Sequence, residues 1–287
     1  MTGSSNLSKI DVAVNLAVQK EHEKNESIIN QNNSEYQFDM LRLYFGEDYR
    51  VTDDIVIHQP TIGDIIEYGE DYVYSVVSIF VANTTSYRLT LWDLGIDWNK
   101  ISDFELFSSL ISSLDVEKTR ILFGDLDWSK FNKASMILED GTDSPPLLYN
   151  EEQDVIVTEE IYLHIRAYIR KMFNINPKVE KAKGKTTKQW MIDEERQKRE
   201  KEKVERSKNP YSNNSTLFPM ISACINHPGF KYKSSELKEV GIIEFMDSVQ
   251  RLQVYENTRA LIQGSYSGFC DTSKIDKNQF NFMREIK

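Results

Sequence analysis

Cysteine is scarce in this chain: two among 287 residues, Cys224 and Cys270. Two thiols cannot build a disulfide framework, and the expectation is a reduced, intracellular setting. Long apolar runs are missing as well. A membrane helix needs roughly 18 apolar residues in a row, whereas the best stretch, residues 76–82, is short and holds Ser78. The N-terminus is polar and lacks a signal peptide's apolar core. The expected product is therefore soluble and made in a cytoplasm, with no membrane partner. In that setting the glycosylation pattern at Asn83-Thr84-Thr85 carries no meaning. Positive charge is in deficit too. The net charge is −10, which argues against wholesale nucleic-acid binding and favours solubility.

Signatures of catalysis and metal binding are equally thin. The four histidines, His22, His58, His164 and His227, are scattered. Cys224 and His227 make a single C-x-x-H pair, where a structural zinc site takes four ligands. His164 falls among Tyr162, Ile165 and Ile169 on a predicted helix and reads as a structural imidazole. The motifs G-x-x-x-x-G-K-[ST], G-x-G-x-x-G, G-x-S-x-G and H-E-x-x-H are absent. Residues 184–188, GKTTK, match the tail of a P-loop without its upstream glycine or strand. The segment EDGTDS at 139–144 lacks the alternating oxygen ligands and closing glutamate of an EF-hand. Asp53-Asp54, Asp125 and Asp127 read as surface turns. The expectation is a protein with no catalytic residues, no cofactor and no metal.

What is present is material for a core. Hydrophobic residues make up 40% of the chain and aromatics 11%, enough for one large or two smaller domains. Residues 1–35 read as a flexible arm with a short amphipathic helix, on which Ile10, Val14, Ala17 and Val18 share a face. So short a helix orders only by docking, on its own chain or on a partner. Residues 36–177 read as a domain of antiparallel strands and helices. LRLYF, YRV and IVIH look like strands around a turn at Gly46. Thr61 with Asp64 and Ser102 with Glu105 look like capping boxes, and Gly69 marks a break. RILFG, SMILE, LLY and DVIVT read as four more short strands. Thr158 then opens the helix EEIYLHIRAYIRKMF.

Residues 178–215 differ in kind. Between 178 and 208 there are 12 lysines and arginines against 7 acids, with i,i+4 pairs such as Glu195–Arg199. This predicts a solvated linker helix anchored at its start by Trp190 and Met191. Residues 216–287 read as a helical domain. A short helix stops at Pro228-Gly229. Ser234 or Ser235 then caps a long helix that Gly264 ends. Tyr266 and Phe269 are expected to fold back on it, with Ile275, Phe280 and Met283 closing a small core. The fold class is thus α+β: an N-terminal mixed domain, a charged helical linker and an α-helical C-terminal domain.

The C-terminal third resembles proteins of the tail-module gene clusters of phages and prophages of Gram-positive bacteria. In those proteins a helix of the form φ-x-x-F-x-D-x-φ-x-R-φ precedes G-x-Y-x-G-x-x-D-x-x-K-I and an aromatic-rich turn. Here the matching positions are Phe245, Asp247, Val249, Arg251 and Leu252, then Gly264, Tyr266, Gly268, Asp271, Lys274 and Ile275. Phe282 stands where such proteins have a tryptophan. IVIHQPTIGDIIEYGE and LGIDWNKISDFELFSSL extend the resemblance into the first half. It implies a non-enzymatic tail assembly chaperone, working in the host bacterial cytoplasm on phage tail or baseplate proteins. A permanent component of the virion tail is the alternative, and oligomerisation is open. From the residues themselves, the candidates for partner binding are Ile10, Val14 and Val18 of the arm and Tyr266, Phe269, Phe280 and Phe282 of the terminal turn, with packing within the chain as the other reading of both groups. Two competing readings are a nucleic-acid adaptor using the basic linker and an enzyme of unrecognised type built on His164.

Overall fold

The computed structural model describes residues 36, 38–135, 145–208, 215–267, 273 and 275–286. Ile10, Val14, Val18 and Phe269 lie outside these, as do residues 136–144, which include most of SMILE and all of EDGTDS. Asp39 opens the first described helix, α1 (Met40–Tyr44), by accepting from the Arg42 amide. The expected strand LRLYF is therefore a helix. Gly46, at φ +81°, follows its end, and only Leu43 is buried. Strands β1 (Tyr49–Arg50) and β2 (Val56–Ile57) pair antiparallel. The turn between strands thus falls later than the expected one at Gly46.

Local caps set the next helix starts. The Thr61 hydroxyl accepts from the Asp64 amide at 3.1 Å and the Asp64 carboxylate accepts from the Thr61 amide at 2.8 Å, opening α2 (Ile62–Tyr68). Gly69 at φ +93° breaks the chain, as its sequence position predicts, and α3 (Glu70–Val81) follows. Helix α4 (Arg88–Asp93) precedes α5 (Asp103–Leu110), which the Ser102–Glu105 capping box starts. RILFG is not a strand. It ends helix α6 (Val116–Phe123), which Asp115 caps and Gly124 terminates at φ +59°. A three-stranded antiparallel sheet of β3 (Asn132–Ala134), β4 (Leu147–Asn150) and β5 (Val155–Val157) comes next, ordered β3-β4-β5. The last two are the expected LLY and DVIVT strands. Thr158 caps α7 (Glu159–Phe173), and Asn174 ends it in the left-handed region.

Helices α8 (Lys185–Lys208), α9 (Leu217–Ile225) and α10 (Ile242–Ser267) complete the described elements. Among the described residues the fold is mixed α+β and mostly helical, with a helical C-terminal region. Helix α10 starts later than Ser234 or Ser235 would have it. A 3-10 turn at Leu237–Glu239 and a bridge from Thr61 to Gly241 come first. It also runs through Gly264, which is no cap. An interior glycine costs a helix only about 1 kcal/mol relative to alanine.

Trp128 sits at the centre of the main core, with the rings of Phe80, Phe107, Phe123 and Phe131 within 5.8 Å of it. The same cluster takes Leu43 and Ile57 from one end of the chain and Leu217, Ile242 and Phe245 from the other. Residues of the expected N-terminal and C-terminal domains thus share one core, because α7 packs against both α3 and α10. A second, smaller cluster holds Leu89, Leu91, Trp98, Leu106, Ala182 and Ile192.

Candidate interaction surface

Each described histidine has at least one ring nitrogen engaged in local structure. Tyr49 Oη lies 2.6 Å from His164 Nε2, and Tyr36 stacks on the same ring at 4.7 Å. Burial pulls the His164 imidazole below its ordinary value, with Glu160 opposing. That is the pattern of a neutral ring accepting from a tyrosine. His58 Nδ1 lies 2.8 Å from Asp48. His227 accepts from the Gly229 amide at Nδ1 and meets Glu256 at 3.3 Å through Nε2. It therefore has no nitrogen left to share a metal with Cys224, whose thiol is buried and pushed up by that burial. Among the described residues, no three His, Cys, Asp or Glu side chains come together as a metal ion would need. No helix among them is long and apolar enough to cross a membrane.

Arg170 is a half-buried cation at the edge of the core. It donates from Nε and Nη2 to the Val81 carbonyl, at 3.0 and 2.6 Å. A guanidinium at the C-terminus of α3 meets the negative end of that helix. Burial and neighbouring Arg166 pull its pKa to about 10. Arg166 itself pairs with Asp103 at 2.5 Å. Both arginines fasten helices together rather than face a cleft.

Surface features are more telling. The first half of α10 buries Ile242, Ile243, Phe245 and Met246. Its second half carries a strap, residues 275–286, that runs back along the helix. Thr258, almost wholly buried, donates to the Gln279 carbonyl at 3.0 Å. Arg251 Nη1 donates to the carbonyls of Phe282 and Arg284, at 2.9 and 2.8 Å. Arg284 Nη1 reaches Thr258 Oγ1 at 2.9 Å and the Gln279 carbonyl at 3.0 Å. Polar bonds, not apolar closure, fix the strap.

The expected small core is absent there. Phe280 is half-buried. Phe282 is 48% exposed and packs edge-on against Tyr255, centroids 6.0 Å apart. Met283 is 72% exposed and Tyr266 89%. Tyr266 does not fold back on the helix, because the helix continues through it to Ser267. Eleven residues separate Tyr255 from Tyr266, close to three helical turns, so both lie on one side of α10. Tyr255 of α10 and Phe282 and Met283 of the strap thus form an exposed ledge, with Tyr266 farther along the helix. Of the candidates for partner binding, the structure brings Phe282 and Tyr266 to this side. Tyr255 was not singled out in the sequence, although its position on the helix face was readable.

The charged helix is not free either. Lys188 Nζ meets Asp97 at 2.5 Å, Arg88 Nε meets Glu195 at 2.5 Å, and Arg196 pairs with Asp93. Ile192 is fully buried; of the two expected anchors, Met191 packs beside it whereas Trp190 is 63% exposed. Trp190 lies on the far side of the helix from Lys188, Ile192 and Arg196. The chain matches no protein-family model, no curated protein and no solved structure.

Proposed function

We propose that this chain is a non-enzymatic assembly protein of a phage tail or baseplate, and in the first place a tail assembly chaperone. It acts by protein–protein contact in the cytoplasm of the host. The observation that carries this reading is the exposure of Phe282 and Met283 on a strap fixed by Arg251, Thr258 and Arg284, beside Tyr255 and, farther along α10, Tyr266. Exposed aromatic and methionine side chains on a rigid support are what interfaces enrich, and isolated soluble surfaces avoid them in groups. The resemblance of residues 245–282 to tail-module proteins falls on the same elements. The acidic charge suits a protein that keeps partners in solution.

The adaptor reading is weakened by the pairing of Lys188, Arg196 and Arg199 with carboxylates of this chain. Paired cations release few counterions on meeting nucleic acid. A permanent place in the tail is the second reading within the same class. Mass spectrometry of purified particles, beside co-purification from assembling cells, separates the outcomes. Tail proteins bound in lysate with the chain missing from particles is the expected result. Fixed copies in the particle make it a tail component. Absence from both removes the tail reading.

A further inference from the structure

Segment 178–199 approaches its neighbours much as a ligand approaches a site. Its smaller cluster is separate from the main core. The walls come from α4, the turn after it and α5: Leu89, Leu91, Trp98 and Leu106 are buried there, with Trp92 and Ile101 at the edge. The segment itself contributes only Ala182 and Ile192 to the buried set, with Met191 beside them. The charges across the contact are complementary in both senses: Arg88 on the rim receives Glu195, and two rim acids receive bases of the helix. Asp97 receives Lys188, and Asp93 receives Arg196. Lys188, Ile192 and Arg196 are four apart and line one face of α8.

Two stretches of this segment are held differently. Residues 178–182 are fastened through their backbone. Asn83 Nδ2 donates to the Lys178 carbonyl at 3.0 Å, Trp98 Nε1 to Glu180 at 3.3 Å, and Asn99 Nδ2 to Ala182 at 2.6 Å. The Glu180 amide donates to Thr85 Oγ1 at 3.0 Å. Gly184 follows, and from Lys185 onward the attachment is by side chains alone. Past Arg199 the described side chains of α8 are all exposed. From Lys185 onward α8 is thus held by Ile192, by Met191 beside it and by charge pairs.

We propose that the groove between α4 and α5 is a helix-binding site, and that the first turns of α8 occupy it in place of a partner. The partner is a protein helix carrying an aliphatic residue with a basic residue four positions before and four after it, and an acidic residue three after it to meet Arg88 as Glu195 does. Such a helix displaces α8, which swings about Gly184 while residues 178–182 stay fixed. The tether keeps the internal helix at high effective concentration, so weak partners are excluded. This inference does not depend on the phage reading. It needs only the groove and its present occupant.

Hydrogen exchange on the full chain is the first arm of the test. Salt at about 1 M shortens the screening length to about 3 Å. Amides of 185–199 should then exchange at least about tenfold faster than at low salt, while those of 159–173 stay unchanged. The second arm adds a labelled peptide of residues 185–200 to the full chain. Docking of α8 reduces the competent fraction, so Ile192→Asp in the protein should tighten peptide binding by about tenfold or more. A peptide with the same substitution should not bind. The double variant Lys188→Glu, Arg196→Glu leaves the apolar contacts intact and serves if Ile192→Asp fails to fold. Protection of 185–199 equal to that of 159–173 at every salt overturns the proposal. So does a folded variant of either kind that ignores the peptide.

Discussion

Gly63 and His164 show how single contacts decide at the residue scale. Gly63 lies inside α2, where alanine would gain about 1 kcal/mol in helix propensity. A Cβ there would sit 2.9 Å from the Lys238 carbonyl oxygen, a backbone atom with little room to yield. Overpacking costs about 1–3 kcal/mol, so the clash wins. Gly63→Ala should lower stability by about 1 kcal/mol in urea unfolding, and a variant as stable as the parent would refute the close approach. His164 sets an acid dependence. Its folded pKa lies below the ordinary value, so the unfolded chain takes up the proton first. This contribution to stability is complete above about pH 6.5 and falls as pH drops through the depressed folded pKa. Protonation at Nε2 also costs the bond from Tyr49. Tyr49→Phe should therefore lose about 1 kcal/mol at pH 8 and show a shallower acid decline. Urea midpoints at pH 8 and 5.5 for both proteins check this, and parallel declines would contradict it.

Elements were legible where their signals are local. The capping boxes at Thr61 and Ser102 and the cap at Thr158 act within three residues, and the structure holds all three. The charged helix over 185–208 also follows from composition and spacing. LRLYF and RILFG misled because four or five apolar residues suit a strand or a helix turn equally. Asp39 and Asp115 as caps, and glycines at positive φ after each run, decide for helix. The anchor of α8 shows the same limit. Of the expected pair, Met191 packs at the cluster but Trp190, the larger side chain, does not, because the acids at 93 and 97 select the face carrying Lys188, Ile192 and Arg196. Ile192→Ala should thus cost about 2 kcal/mol, whereas Trp190→Ala should fall within about 0.5 kcal/mol of the parent. Thermal or urea unfolding that ranks them the other way would reverse the assignment of faces.

On the scale of the whole molecule, one core joins residues far apart in the chain. Phe245 from α10 is fully buried in the cluster that also holds Ile57 and Phe80. Helix α10 should therefore unfold with the mixed region before it and not separately. Phe245→Ala is expected to cost about 3–5 kcal/mol and to move tryptophan fluorescence and far-UV dichroism together, because Trp128 belongs to the same cluster. Two separated transitions would instead mean two cooperative units. The functional surface is visible only at this scale. Phe282 and Tyr255 lie 27 positions apart and meet because Arg251 and Thr258 hold the strap against α10.

By itself the sequence settled what depends on neighbours along the chain: the α+β class, the capped helix starts, the break at Gly69 and the charged helix. Each rests on interactions spanning a few residues, so no distant partner can hide it. Tertiary structure alone decided which faces are covered. It put Ile192 inward and Trp190 outward, drew residues 217–246 into the main core, and left Phe282, Met283 and Tyr266 exposed. Those outcomes turn on contacts between residues dozens to more than a hundred positions apart, such as Arg88 with Glu195. Their free energy arises only once the chain has closed those loops, and no local pattern carries a trace of it.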